Sequence, residues 1–182
     1  EGFVTLWKEP TMLGAISLMA IVGGLAAPVY IMMPAFAEDV LGTGSVGLGL
    51  LLAAAALGSV IGTVVVAKLG MFRRGRTLTA VSFLLPALIA GFALSDNMLM
   101  ACLFLVALGL VILVLQSLTI TLVQVHIPDR VRGRVMSLYS QLHAGSDTAG
   151  NMMIGWMAVY LGLPLALGLG GLVALIYALG LR

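Results

Sequence analysis

Long apolar runs alternate with short polar breaks along almost the whole chain. Residues 12–36, 46–67, 77–94, 98–123, 135–160 and 162–181 each form such a run. Each matches the length of about 20 helical residues that crosses a hydrocarbon core about 30 Å thick. A membrane barrel would instead show strands of about ten residues that alternate polar and apolar positions, and that pattern is absent. The runs therefore predict an all-α, polytopic membrane protein with six transmembrane helices. The breaks hold no soluble insertion, so residues 1–182 are expected to form one membrane domain.

Composition strengthens this expectation. Of the 182 residues 62% are hydrophobic and 9% charged, and the mean hydropathy is +1.19. No soluble core absorbs that much apolar surface. Charge then orients the spans. Lys8 precedes the first run, Lys68, Arg73, Arg74 and Arg76 follow the second, Arg130, Arg132 and Arg134 follow the fourth, and Arg182 follows the sixth. With six spans all of these fall on one side, whereas Glu38, Asp39 and Asp96 fall on the other. The positive-inside bias places both termini in the cytoplasm. The sequence pI of about 9.0 reflects the same bias; no soluble basic module with interleaved aromatics is present, and no nucleic-acid partner is expected. Membrane lipid is the expected partner of the basic clusters. The lone Cys102 lies within the fourth run and suggests neither a disulfide nor a metal site. No cofactor is expected.

Small residues and prolines mark how the helices meet. Ala54, Gly58 and Gly62 recur every four residues in the second run, a packing face that lets helices approach closely in lipid. Gly145, Gly150 and Gly155 in the fifth run and Gly168 and Gly171 in the sixth carry the same expectation. Pro28, Pro34 and Pro86 fall inside runs, where each removes a backbone hydrogen bond and can bend a helix.

The break between the fourth and fifth runs has the strongest local pattern, Gln124-Val125-His126-Ile127-Pro128-Asp129-Arg130-Val131-Arg132-Gly133-Arg134-Val135-Met136-Ser137-Leu138-Tyr139. Pro128 suits a first helical turn and Asp129 complements a helix N-terminus. Asp129, Arg130, Arg132, Gly133 and Arg134 form a candidate cytoplasmic gate or anchor, and Arg74-Gly75-Arg76 repeats its Arg-Gly-Arg element before the third run. The Pro128-Asp129 step, Arg132-Gly133-Arg134 and Val135 to Tyr139 resemble the major facilitator superfamily. The likeness is to the C-terminal six-helix half of its drug and siderophore exporters, the group with the enterobactin exporter and macrolide efflux proteins. Pro34-Ala35-Phe36-Ala37 with Glu38, and Gly58-Ser59 with Gly62, are similar too. The stretch from Lys68 to Arg76 occupies the place of the superfamily's cytoplasmic signature but lacks its Asp, with Val66 and Ala67 before Lys68.

This resemblance implies two pseudo-symmetric halves, each of inverted three-helix repeats, rocking around a substrate site near the midplane. The chain would be one half, a fragment of a twelve-helix transporter whose N-terminal six helices are its missing partner. It implies export of a small amphipathic compound across a bacterial inner membrane.

Asp147 is the one charged residue inside an apolar run. An ionised carboxylate at that depth costs several kcal/mol unless paired or hydrated, so such a residue is a functional candidate by default. His143, Asp147 and Asn151 are spaced by four and share one helix face. Asp147 is the candidate proton-coupling or substrate-binding group, and His143, a type that titrates near neutral pH, could tune it or join a proton relay. The alternative is a set of polar groups that hydrogen-bond one another or a neighbouring helix and add only adhesion. Gln116, Thr119 and Thr121 in the fourth run are candidate cavity-lining groups, although threonine can satisfy itself on its own helix.

Secondary transport with protons and a small molecule as its ligands is the reading these residues support. A non-transporting membrane scaffold or channel subunit is the alternative, because packing glycines and charge bias suit any helical bundle. Enzymatic chemistry is not expected: Ser146 lies three residues from His143, but no oxyanion-hole element accompanies them. No G-x-x-x-x-G-K-[ST] loop supports an ATP-driven pump within this chain.

Overall fold

The computed structural model describes residues 10–68, 74–127 and 132–180, and every regular element among them is helical. Six α-helices follow one another: α1 (Pro10–Ala35), α2 (Gly44–Lys68), α3 (Arg74–Ala93), α4 (Met98–His126), α5 (Arg132–Leu161) and α6 (Leu163–Gly180). Each contains most of one apolar run. By length and apolar composition alone, α2 and the Met98–Val125 part of α4 are able to cross a membrane. In α5 the polar stripe around Asp147 interrupts an otherwise sufficient length.

At two of the described breaks glycine takes the turn. After Pro34, α1 widens into a π-helical turn at Phe36–Val40, where the Leu41 amide donates to the Phe36 carbonyl at 3.1 Å. Gly42 and Gly44 follow at φ of 61° and 57°, and the Thr43 amide and hydroxyl both donate to the Ala37 carbonyl between them. A side chain at those φ values would strain the backbone. Gly162, at φ 83°, is the whole connection between α5 and α6, and Pro164 then occupies the first turn of α6, where no amide donor is needed. Asn97 caps α4 by accepting from the Met100 amide at 2.9 Å.

Packing is organised around α1 and α4. The main partner of α2 is α4, α5 packs on α1 and α6, and α3 lies between α4 and α6. Close crossings are made through glycine. A Cβ at Gly58 would meet the Val106 main chain, one at Gly62 would lie 2.9 Å from the Leu110 carbonyl oxygen, and one at Gly109 would meet the Ala55 carbonyl. Such contacts between main chains are open only to residues without a side chain. Gly58 and Gly62 thus form a packing face. Gly171 lies close to the Pro86 carbonyl, whereas Gly145 and Gly168 have nothing within 4 Å of an added Cβ and hold no crossing here.

Larger side chains fill the gaps nearer one end. Phe36 and Phe92, both fully buried, stack at 4.4 Å between ring centroids. The outer surface is apolar: Val46, Leu50, Leu57, Val60 and Val64 on α2, and Leu165, Leu172 and Ile176 on α6, are all exposed. Glycines at the helix crossings and branched aliphatics on the outside suit surroundings of lipid rather than water. Trp156 and Tyr160 pack with their rings tilted by 57° in the open near the end of α5, a position suited to a membrane interface.

Candidate functional site

The polar stripe of α5 meets α1 and α4 at a cavity of about 300 Å³ lined by Ala26, Ala27, Tyr30, Ile31, Ile112, Gln116, His143, Asp147 and Asn151. Its position follows from one close crossing. A Cβ at Gly150 would run into the main chain of Gly24, so α1 and α5 touch backbone to backbone beside Asn151 and less than one turn from Asp147. That contact sets the α1 residues 26–31 opposite the stripe. The neighbouring helix α4 closes the space with Ile112 and Gln116.

Within the cavity His143 and Asp147 are paired, Nδ1 to Oδ1, at 3.1 Å. Against an ionised carboxylate the Nδ1–H donates, which leaves Nε2 as an acceptor. The pair is not sealed, since 29% of the His143 side chain and 34% of that of Asp147 are accessible. The Oδ1 atom of Asn151 is buried and has no hydrogen-bond partner among the described residues. A buried acceptor without a donor is costly.

A second cavity of about 310 Å³ adjoins the first through Gln116 and His143, and is otherwise lined by Leu113, Ser117, Ile120 and Tyr139. From Asn151 to Tyr139 the groove follows twelve residues of α5, about 18 Å at the helical rise. It stops at an apolar cluster of Val123, Ile127, Val135 and Tyr139 that fills the elbow between α4 and α5. Tyr139, the last residue of the motif, therefore lies at the floor of the groove.

Other candidates lie apart. Thr119 is buried and lines neither cavity. Thr121 points about 140° around α4 from Gln116, and its hydroxyl donates to the Ser117 carbonyl at 2.7 Å, one turn back on its own helix. Thr121→Val is accordingly expected to leave thermal stability within about 0.5 kcal/mol and transport unchanged; a loss of flux would return Thr121 to the pathway. Ser140 and Ser146 also bond to their own helix, Ser146 to the His143 carbonyl at 2.9 Å and not to the imidazole ring. No activated serine results. Arg132, Gly133 and Arg134 open α5 at its exposed end, and the backbone of Arg74 and Arg76 opens α3. Asp129 and Arg130 lie outside the described residues.

Tyr30 is a cavity residue that the spacing arguments do not reach. Its signal is a tyrosine inside an apolar run instead of at its edge, where the membrane interface favours that side chain.

The family model described as transmembrane secretion effector matches residues 8–181. No curated protein matches the chain. The match covers nearly all of the sequence and points to a membrane-embedded transporter and not to an enzyme. With that match and its helical bundle, the chain belongs to the transmembrane secretion effectors of the major facilitator superfamily.

Proposed function

We propose that this chain is the C-terminal six-helix half of a proton-coupled exporter of small amphipathic compounds in a bacterial inner membrane, working by alternating access around the α1–α4–α5 cavity. One observation carries the reading: Asp147, His143, Asn151 and Gln116, from two helices, converge on one cavity inside an otherwise apolar bundle. The His143–Asp147 bond lies within α5. It ties no helices together, so interhelical adhesion does not account for a carboxylate at this depth. Partial accessibility gives a proton a route to the pair.

The packing also supports two inverted three-helix repeats. Exchanging α1–α3 with α4–α6 maps the α2–α4 contact onto α5–α1, and each of these contacts is made through glycine on a main chain, Gly58 in one and Gly150 in the other. Rocking about such crossings costs little side-chain repacking. Both termini are taken to be cytoplasmic, with the arginines of α3 and α5 on that side.

The test uses everted membrane vesicles containing the full-length protein, an acid interior and a pH-sensitive dye. Addition of members of a panel of amphipathic drugs and siderophores is expected to release protons as the compound accumulates. Vesicles in which no compound accumulates and none moves protons, with the protein present and folded, would favour the scaffold reading instead.

A further inference from the structure

A groove of about 300 Å³ runs between α1, α5 and α6 and shares no lining residue with the polar cavity. Gly24 and the buried Gly150 line its inner side, and Met153 and Val173, both exposed, form its rim. Its place follows from how α6 returns along α5. Beyond the Gly162 turn the two helices are in contact, and a Cβ on Gly170 would lie 3.0 Å from Ile154 Cδ1. One turn further toward the arginine end of α5, Gly150 stands on the face that Ile154 fills above it, and the groove opens there.

The wall suits hydrocarbon. Ser146 is its one polar side chain, and that hydroxyl already donates to the His143 carbonyl at 2.9 Å. An apolar space of about 150 Å³ stays dry and takes up benzene, so one of about twice that size holds a stretch of alkyl chain in preference to water. Val173 shares one face of α6 with Leu169 and Ile176, four residues before it and three after, and all three are exposed aliphatics. The groove is thus an inlet of the lipid-facing surface. Hydrocarbon gains nothing from leaving lipid for another apolar surface, so a chain settles here through contact with three helices and is selected by its headgroup.

Charge makes that selection. Arg132 precedes Gly150 by 18 residues, five turns at 3.6 residues each, and so lies on the same side of α5. Ser146, the lining residue of α5 nearest to Arg132, is about 21 Å from it along the helix, and one leaflet with its headgroups is about 20–22 Å thick. A lipid whose phosphate meets the Arg132 guanidinium therefore ends its chains at the groove. Arg134 is exposed at the same end, and a guanidinium binds phosphate through paired N–H donors.

We infer that the α1–α5–α6 groove binds one acyl chain of an anionic phospholipid whose headgroup sits at the arginine end of α5. Seated there, the chain touches the Gly24–Gly150 crossing from the side away from Asp147. This site is independent of the export reading, since it uses neither Asp147 nor its cavity.

The full-length protein in lipid nanodiscs is given phosphatidylglycerol with a photoactivatable diazirine near the end of one acyl chain, irradiated, and mapped by mass spectrometry. Label on Ala149, Met153 and Val173 is expected to exceed that on Leu172, which is exposed at a similar depth on α6 but lies outside the groove. Phosphatidylcholine with the same chain should label the groove about fivefold less, the factor for one arginine at an anionic lipid surface, and Arg132→Gln should bring phosphatidylglycerol down to that level. Ala149→Leu, which fills the groove, should remove its label and leave that on Leu172 unchanged; Met153→Phe blocks the rim and serves if Ala149→Leu folds poorly. Equal label on the groove and on Leu172, or groove label that ignores both the headgroup and Arg132→Gln, means contact with bulk lipid only and overturns the inference. A groove without label overturns it too, since the rest of the full-length protein would then cover the space.

Discussion

Replacing Asp147 by asparagine abolishes the response of substrate flux to a pH gradient while leaving the protein folded. The substitution is nearly isosteric, and the new amide oxygen still accepts from the His143 Nδ1–H, the one contact that Asp147 makes among the described residues. What disappears is the charge. A carboxylate at mid-membrane depth disfavours insertion by about 2.5–3.5 kcal/mol on biological scales, so its removal should leave expression and thermal stability equal or improved. Transport should move the other way, with gradient-driven flux falling by about 100-fold or more because the carboxylate that couples proton and substrate in the cavity is gone. These opposite signs make the test sharp, since a merely structural Asp147 would lose stability and activity together or neither. Flux with the parental pH dependence, at matched amounts of protein in the membrane, removes Asp147 from the mechanism.

How far the site can be read from residues alone is visible in α5. Spacing by four places His143, Asp147 and Asn151 on one face because 3.6 residues complete a turn, and the structure keeps them together around one cavity. Periodicity gives a face but not what lies opposite it. That depends on Gly24 meeting Gly150, and nothing in either stretch of sequence names the other as its partner. Tyr30 is consequently found only when the helices are assembled. Thr119 and Thr121 show the converse. Both are polar positions near Gln116 in sequence, but one faces the packed interior and the other bonds its own backbone.

The fold was more legible than the site, for a physical reason. Hydropathy must persist over a whole span for a helix to sit in lipid, so it is written redundantly over about 20 residues. The turns are written in single residues: Gly42, Gly44 and Gly162 carry the positive φ values that end one helix and start the next. The hydropathy pattern does not predict the π-helical turn after Pro34. A proline in a run announces a lost hydrogen bond and a possible bend, whereas widening at Phe36–Val40 depends on how the Thr43 and Leu41 donors are then satisfied.

Glycine substitutions separate packing from propensity with equal clarity. In an isolated helix Ala is favoured over Gly by about 1 kcal/mol, so Gly→Ala stabilises wherever space exists. Gly145 has that space, and Gly145→Ala is expected to raise thermal stability slightly or leave it unchanged. At Gly58 the added Cβ would clash with the Val106 carbonyl, and main chain cannot rotate away as a flexible side chain can. Separating α2 from α4 also loosens the reciprocal contact of Gly109 with Ala55, because both lie in the same crossing. Overpacking of this kind costs about 1–3 kcal/mol or more, which exceeds the propensity gain. Gly58→Ala should therefore lower the temperature at which the full-length protein loses its monodisperse peak in detergent, by several degrees. Adding Gly109→Ala should cost less than the sum of the two single changes, since helices already forced apart leave room for the second methyl. A Gly58→Ala protein as stable as Gly145→Ala would mean that α2 and α4 do not cross at this point, and the match between the α2–α4 and α1–α5 contacts, on which the inverted-repeat reading leans, would go with it.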